Sequence, residues 1–241
     1  MNSYAVSTEG LGKRFGKFQA VKNLNLAVDY GEIFGFLGAN GAGKTTAIRM
    51  LCGLLLPSGG GGQVAGFDIW KENEKIKQSI GYMSQKFSLY NDLTLAENIE
   101  FYGGVYGLNR KNLKEKREQL LSELGLTQEA DRMTADMPLG FKQRLALGCA
   151  LLHDPKIIFL DEPTSGVDPE ARRNFWDLIY RLAERGKTVF VTTHYMDEAE
   201  YCHRVSIMYN GEIIALDKPE ALKRQYGKPS MQETFIHLVD K

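Results

Sequence analysis

The sequence predicts an α/β fold, and three observations carry that expectation. Residues 33–37, 157–160 and 188–192 are short, mostly apolar runs, the pattern of strands buried on both faces. A glycine-rich loop at 38–45 separates the first run from a helical pattern over 45–52. Between about residues 90 and 155 the strand signals stop and helical ones take over, so a helical insert interrupts the α/β core. The 241 residues fit one large domain carrying such an insert, at roughly 100–200 residues per domain.

The elements follow in order. Residues 24–28 partly alternate and read as a strand, turning at Asp29-Tyr30-Gly31. After the strand at 33–37 and the helix at 45–52, Pro57-Ser58-Gly59-Gly60-Gly61-Gly62 reads as a flexible turn. Residues 63–65 and 80–83 are further short strands. Thr94-Leu95-Ala96-Glu97 is a capping box, in which hydroxyl and carboxylate each satisfy an orphan backbone donor; it opens a helix to about Tyr106. A second helix covers 111–124 and stops at Gly125, and a third covers 142–152. The strand at 157–160 comes next. Asp168-Pro169 opens a helix to about Arg185, with Gly186 just past its end. After the strand at 188–192, the runs 205–209 and 212–216 flank Asn210-Gly211, a hairpin signal. Ser230-Met231-Gln232-Glu233 is a second capping box before a short tail helix.

Composition excludes several classes. Hydrophobic residues are 43% and charged residues 25%, which rules out a disordered chain. Lys+Arg and Asp+Glu are both 30, so the overall basic excess of a nucleic-acid binder is missing. A membrane-spanning helix needs about 20 apolar residues, and the runs at 54–56 and 157–160 are far shorter. The segment from Met1 to Ala5 lacks the charged and apolar regions of a secretory signal. The expectation is a soluble chain that can dock on a membrane partner. Cysteines 52, 149 and 202 are odd in number and widely spaced, which fits buried thiols in a reducing compartment. Cys202-His203 stands alone, a weak case for a metal.

Gly38-Ala39-Asn40-Gly41-Ala42-Gly43-Lys44-Thr45 fits GxxxxGK[ST] at every position, after a strand and before a helix. The pattern suits phosphate binding. Glycines let backbone N–H groups converge on oxygens, and the helix points its positive end there. Lys44 then reaches the β- and γ-phosphates, and Thr45 offers its hydroxyl to Mg²⁺. Such a site needs a carboxylate for the metal at the end of a buried strand. Asp161 supplies it, and Glu162 beside it is placed to take a proton from an attacking water. His194 follows the strand 188–192 at its carboxyl end, where open α/β sheets place ligands, and suits a γ-phosphate contact. Gln85 occupies the same location after 80–83. Phe15 either stacks on adenine or packs as an ordinary half-buried aromatic.

Together these residues resemble the ATP-binding subunit of ABC transporters, over essentially the whole chain. The resemblance implies a P-loop NTPase core with an antiparallel β subdomain and the helical insert at 90–155, all in a single domain over 1–241. It implies ATP and Mg²⁺ as ligands. Phe15 matches the adenine-stacking aromatic, and Gly38, Asn40, Gly41, Ala42, Gly43, Lys44, Thr45 and Thr46 match the Walker A loop. Gln85 matches the Q-loop glutamine, near the metal and coupled to the membrane partner. Asp161 and Glu162 match Walker B and its catalytic carboxylate, Asp168 lies in the D-loop, and His194 matches the switch histidine. The implied machine is an ATPase in which two subunits, identical or homologous, pair head to tail around ATP. It drives a separate permease from the cytoplasmic face of the membrane, with no nucleic acid involved.

Segments 64–68, 192–200 and 233–236 look like those of drug- and polysaccharide-exporting members, and the chain's stop soon after its core agrees with export. One segment departs. Where the family carries LSGGQ, this chain reads Met137-Pro138-Leu139-Gly140-Phe141. Proline has no donor in place of the serine, whereas Gly140 keeps its N–H. The site then reads as altered but active, or as the degenerate half of a heterodimer. The helix at 94–106 is the expected docking region for the permease. A soluble ABC ATPase acting on ribosomes or DNA is the alternative, although such proteins usually carry two ATPase domains or long coiled coils. A P-loop kinase or non-hydrolysing module would not need Glu162.

Overall fold

The structure, a computed structural model, describes residues 4–240, so Met1 to Ser3 of the N-terminal reading lie outside the described residues. The chain opens with β1 (Tyr4–Phe15) and β2 (Phe18–Asp29), paired antiparallel with Phe15 opposite Phe18. Register shifts interrupt this ladder, which breaks the clean alternation a strand shows in sequence. Then come β3 (Ile33–Leu37), α1 (Lys44–Leu51), β4 (Gly59–Val64), β5 (Phe67–Asp68), α2 (Asn73–Ser79) and β6 (Ile80–Met83). The expected flexible turn at 57–62 is corrected here, because Gly59 to Gly62 belong to β4 and pair with β1. A Cβ on Gly60 would lie 2.1 Å from the Gly10 carbonyl oxygen, and one on Gly62 2.4 Å from that of Ser7. Glycine is used there for close backbone approach.

The helices α3 (Leu95–Val105), α4 (Arg110–Glu123) and α5 (Leu139–Leu151) all lie between β6 and the next strand. The capping box forms in full: Glu97 N donates to Thr94 Oγ1 at 3.2 Å, and Thr94 N donates to the Glu97 carboxylate at 2.8 Å. The helix expected from residue 142 starts earlier. Phe141 and Lys142 both donate to the Pro138 carbonyl, so Pro138 is the N-cap and Leu139 the first helical residue.

The chain continues with β7 (Ile157–Asp161), α6 (Pro169–Glu184), β8 (Thr188–Thr193) and a 3₁₀ segment, Met196–Tyr201. It ends with β9 (Arg204–Tyr209), β10 (Glu212–Asp217), α7 (Pro219–Tyr226) and α8 (Met231–Val239). Asn210 and Gly211 have φ of 48° and 81°, as a tight hairpin requires. The Ser230 hydroxyl accepts from Glu233 N at 3.2 Å, but among the described residues the reciprocal half of that second capping box does not form.

Two sheets result. One is antiparallel, in the order β2-β1-β4-β5; the other runs β10-β9-β3-β8-β7-β6, with all but β10 parallel. Both faces of the parallel sheet are covered. Phe34, Phe36, Phe159 and Phe190 pack toward the antiparallel sheet and α1, with Phe159 and Phe190 centroids 4.7 Å apart. Ile33, Leu37, Ile158, Leu160, Val189 and Val191 face the helices on the other side. That arrangement is why these strands read as unbroken apolar runs. It also brings the carboxyl ends of β3, β6, β7 and β8 to one edge, where the loops carrying Lys44, Gln85, Glu162 and His194 emerge.

No helix among the described residues is long and apolar enough to cross a membrane. The three cysteines are free and buried, and burial pushes the Cys149 thiol up to about 12.

Candidate active site

The loop from Gly38 to Gly43 is forced by space. A Cβ on Gly38 would sit 2.5 Å from the Met208 carbonyl oxygen, and one on Gly43 2.6 Å from that of Ala20. Gly43 has φ 107° and caps α1 without any side-chain bond, which leaves the helix's first N–H groups turned to the loop. A hollow of about 390 Å³ opens there, lined by Asn40, Gly41, Gly43, Lys44, Thr45, Thr46, Gln85 and Glu162. Ala42 of the same loop is buried behind it, in the core shared with Phe36 and Met208.

Lys44 is only 4% exposed. Its Nζ donates to the carbonyls of Gly38 and Ala39 at 2.7 and 3.2 Å and stands 3.3 Å from Glu162 Oε1. Burial lowers its pKa, and the Glu162 carboxylate works against that shift. Thr45 Oγ1 and Thr192 Oγ1 both donate to Asp161 Oδ1, at 3.1 and 2.8 Å. Burial raises the Asp161 pKa, and the two hydroxyls oppose it. A hydroxyl and a carboxylate oxygen therefore stand side by side at the start of α1, a hard oxygen pair that suits Mg²⁺. Among the described residues no group of three His, Cys, Asp or Glu side chains gathers as a metal cage. Mg²⁺ does not need one, since it usually takes one or two protein oxygens, waters and substrate phosphates.

Glu162 is the hub. Its φ of 49° lies in the left-handed region, and its N–H is held by Thr192 Oγ1 at 2.7 Å. Its Oε2 accepts from Gln85 Nε2 and meets His194 Nδ1, both at 3.1 Å. Side chains that follow three strands, β3, β6 and β8, thus converge on the carboxylate that follows β7.

Asp168 and Gly140 lie away from this hollow. Asp168 accepts from Ala171 N at 2.9 Å as the N-cap of α6, and Gly140 packs against Ala171 on the first turn of α5. They line a separate hollow of about 280 Å³ with Pro138, Phe141 and Arg144, and it shares no lining residue with the first. Phe15 is half exposed beyond the first hollow, whereas its cross-strand neighbour Phe18 lines it. Phe18, Ala20 and Thr192 were not singled out from sequence. Two aromatics flanking the Gly16-Lys17 turn were the available signal for Phe18.

The family model for the ABC transporter matches residues 21–165. The chain belongs to the ABC transporter family. It is 49% identical over 239 residues to the probable multidrug ABC transporter ATP-binding protein YbhF of Escherichia coli, covering 97% of this chain and 41% of that relative's length. It is 39% identical over 235 residues to the linearmycin resistance ATP-binding protein LnrL of Bacillus subtilis, covering 97% of this chain and 74% of that one. Among solved structures, an ATP-binding subunit of an ABC transporter superposes with a TM-score of 0.86 at 27% identity, over 97% of this chain and 99% of that one. A dimeric ATP-binding cassette in a post-hydrolysis state with ADP and Pi gives 0.81 at 27% identity, over 88% and 98%. The two-sheet ABC architecture and its α/β core are therefore established for this chain.

Proposed function

We propose that this chain is the ATP-hydrolysing motor of an exporter, working as a head-to-tail dimer beneath a separate membrane permease. One observation carries the reading: Lys44, Gln85 and His194 all meet Glu162 within 3.3 Å, next to the Asp161–Thr45 pair. Lys44 and the N–H groups at the start of α1 bind the β- and γ-phosphates, and Phe15 with Phe18 covers the adenine. Thr45 and Asp161, with Gln85 through water, hold Mg²⁺, which neutralises charge on the phosphates when bound. An arriving γ-phosphate competes for Lys44 and releases Glu162 from its ion pair. Glu162 then takes a proton from water as the water oxygen attacks the γ-phosphorus, giving ADP and phosphate. His194 holds the γ-phosphate side of the site.

The second hollow supports the dimer. Gly140 and Asp168 reach no part of their own P-loop hollow, so they serve that of the opposing subunit. The permease docks where α3 meets the loop after β6, a groove lined by Phe87, Leu89, Tyr102 and Tyr106 with exposed Phe101 and Val105 beside it. In this reading the chain works from the cytoplasmic face of the membrane. The similarity to a probable multidrug ABC transporter ATP-binding protein and to a linearmycin resistance ATP-binding protein supports export.

Lys44→Ala tests the assignment. It removes the buried cation at the phosphates, so ATP affinity should fall at least about tenfold, the equivalent of one charge-assisted hydrogen bond. Wild-type affinity and turnover in a folded mutant would overturn it.

A further inference from the structure

Behind the groups that face the nucleotide lies a second polar cluster. Glu198, in the 3₁₀ segment after β8, is fully buried, and its Oε1 accepts from Thr164 Oγ1 at 2.6 Å. Thr164 stands two residues after Glu162 and opens the loop that leads to Asp168. Arg172, in the first turn of α6, brings Nε to 3.6 Å from the same Oε1 and Nη1 to 3.7 Å from Asp197. Its guanidinium lies over the Tyr195 ring at 3.9 Å, and that ring is 4.3 Å from the imidazole of His194. A contiguous path therefore runs from Glu162 through Thr164, Glu198, Arg172 and Tyr195 to His194.

The path is not closed. Arg172 Nε and Glu198 Oε2 are both buried and both lack a hydrogen-bond partner. A buried charged donor and a buried charged acceptor left without partners are unfavourable, and buried polar groups are almost always paired. A movement of about 1 Å would turn the 3.6 Å approach into a charge-assisted hydrogen bond. The three segments involved are the loop after Glu162, the start of α6 and the stretch after His194.

We propose that Glu198, Thr164 and Arg172 are positioning residues for turnover. They fix the loop after Glu162 against the segment after His194, with the Arg172–Glu198 contact joining the start of α6 to that segment. The proposal rests on the ATPase reading above. None of the three lines the nucleotide hollow, so their loss acts on kcat and leaves nucleotide binding alone.

The test is steady-state turnover and equilibrium ATP affinity of the full chain. Thr164→Val keeps the shape and removes the hydroxyl, so kcat should fall about tenfold with affinity within about twofold. Thr164→Ser restores the hydroxyl and should return kcat to within about twofold of wild type. Glu198→Gln still accepts from Thr164 but removes the charge facing Arg172, and should lower kcat as well. A wild-type kcat in Thr164→Val and Glu198→Gln, a loss carried by affinity, or a Thr164→Ser no better than Thr164→Val would overturn the proposal. If Thr164→Val does not fold, Arg172→Lys carries the test: it keeps the charge and loses the planar stack on Tyr195. Its kcat should then fall at unchanged affinity, and an unchanged kcat overturns the proposal. A wild type that turns over ATP beside unaffected variants defeats this proposal alone. A wild type that neither binds nor hydrolyses ATP defeats the site reading and this proposal with it.

Discussion

At the scale of single residues, chemistry dictated type and spacing, and the sequence was informative for that reason. A phosphate-binding lysine must follow a glycine whose φ of 107° lies in the left-handed region, and the pair Gly43-Lys44 can be read directly. Gln85 was harder, because it lies 77 residues from its partner Glu162 and only the fold joins them. The aromatic wall was read incompletely. Phe15 was singled out, yet Phe18 is the ring lining the hollow, since aromatics next to a hairpin turn carry no positional code. The structure therefore predicts that Phe18→Ala weakens ATP binding by about 1 kcal/mol, roughly fivefold, as a lost stacking surface should. Isothermal titration with ATP and Mg²⁺ checks it, and an unchanged affinity would remove Phe18 from the adenine contact.

At the scale of elements, local stops and starts decided what could be read. Three of the helices with polar caps, α3, α4 and α6, lie within a residue of their expected ends because Thr94, Asn109 and Asp168 each satisfy an orphan N–H. Thr94→Ala should cost about 1 kcal/mol and lower Tm by about 2–4 °C in a thermal scan. No change in Tm would mean that the Glu97 half of the box holds α3 alone. The strand β1 carries no clear signal in the sequence, and β4 only at its end, in residues 63–64, for opposite reasons. Register shifts in β1 blur its alternation, and β4 is glycine-rich because its backbone lies against β1. The start of α5 was also missed, since a proline N-cap carries no hydroxyl or carboxylate to announce it. There, Pro138→Ser adds a donor beside the N–H of Gly140. If that donor reaches the opposing subunit's phosphate, the ATP-bound dimer should dissociate at least about tenfold more slowly in a Glu162→Gln background. Equal dissociation would show that the new hydroxyl caps α5 instead.

At the scale of the whole molecule, one chain holds two separate hollows. The P-loop hollow and the hollow beside Gly140 and Asp168 are lined by different residues, and in the proposed dimer a second copy or a homologue brings the two together. No pattern in a single sequence states this, because the partner surface has no local signature. The central claim is that ATP itself completes the site by joining two subunits, and Glu162→Gln tests it most directly. The amide keeps the bond to Gln85 within reach but cannot take a proton from water, so bound ATP should persist. Size-exclusion chromatography of this variant should show a dimer with ATP and Mg²⁺ and a monomer with ADP. A variant that stays monomeric with saturating ATP would contradict the account.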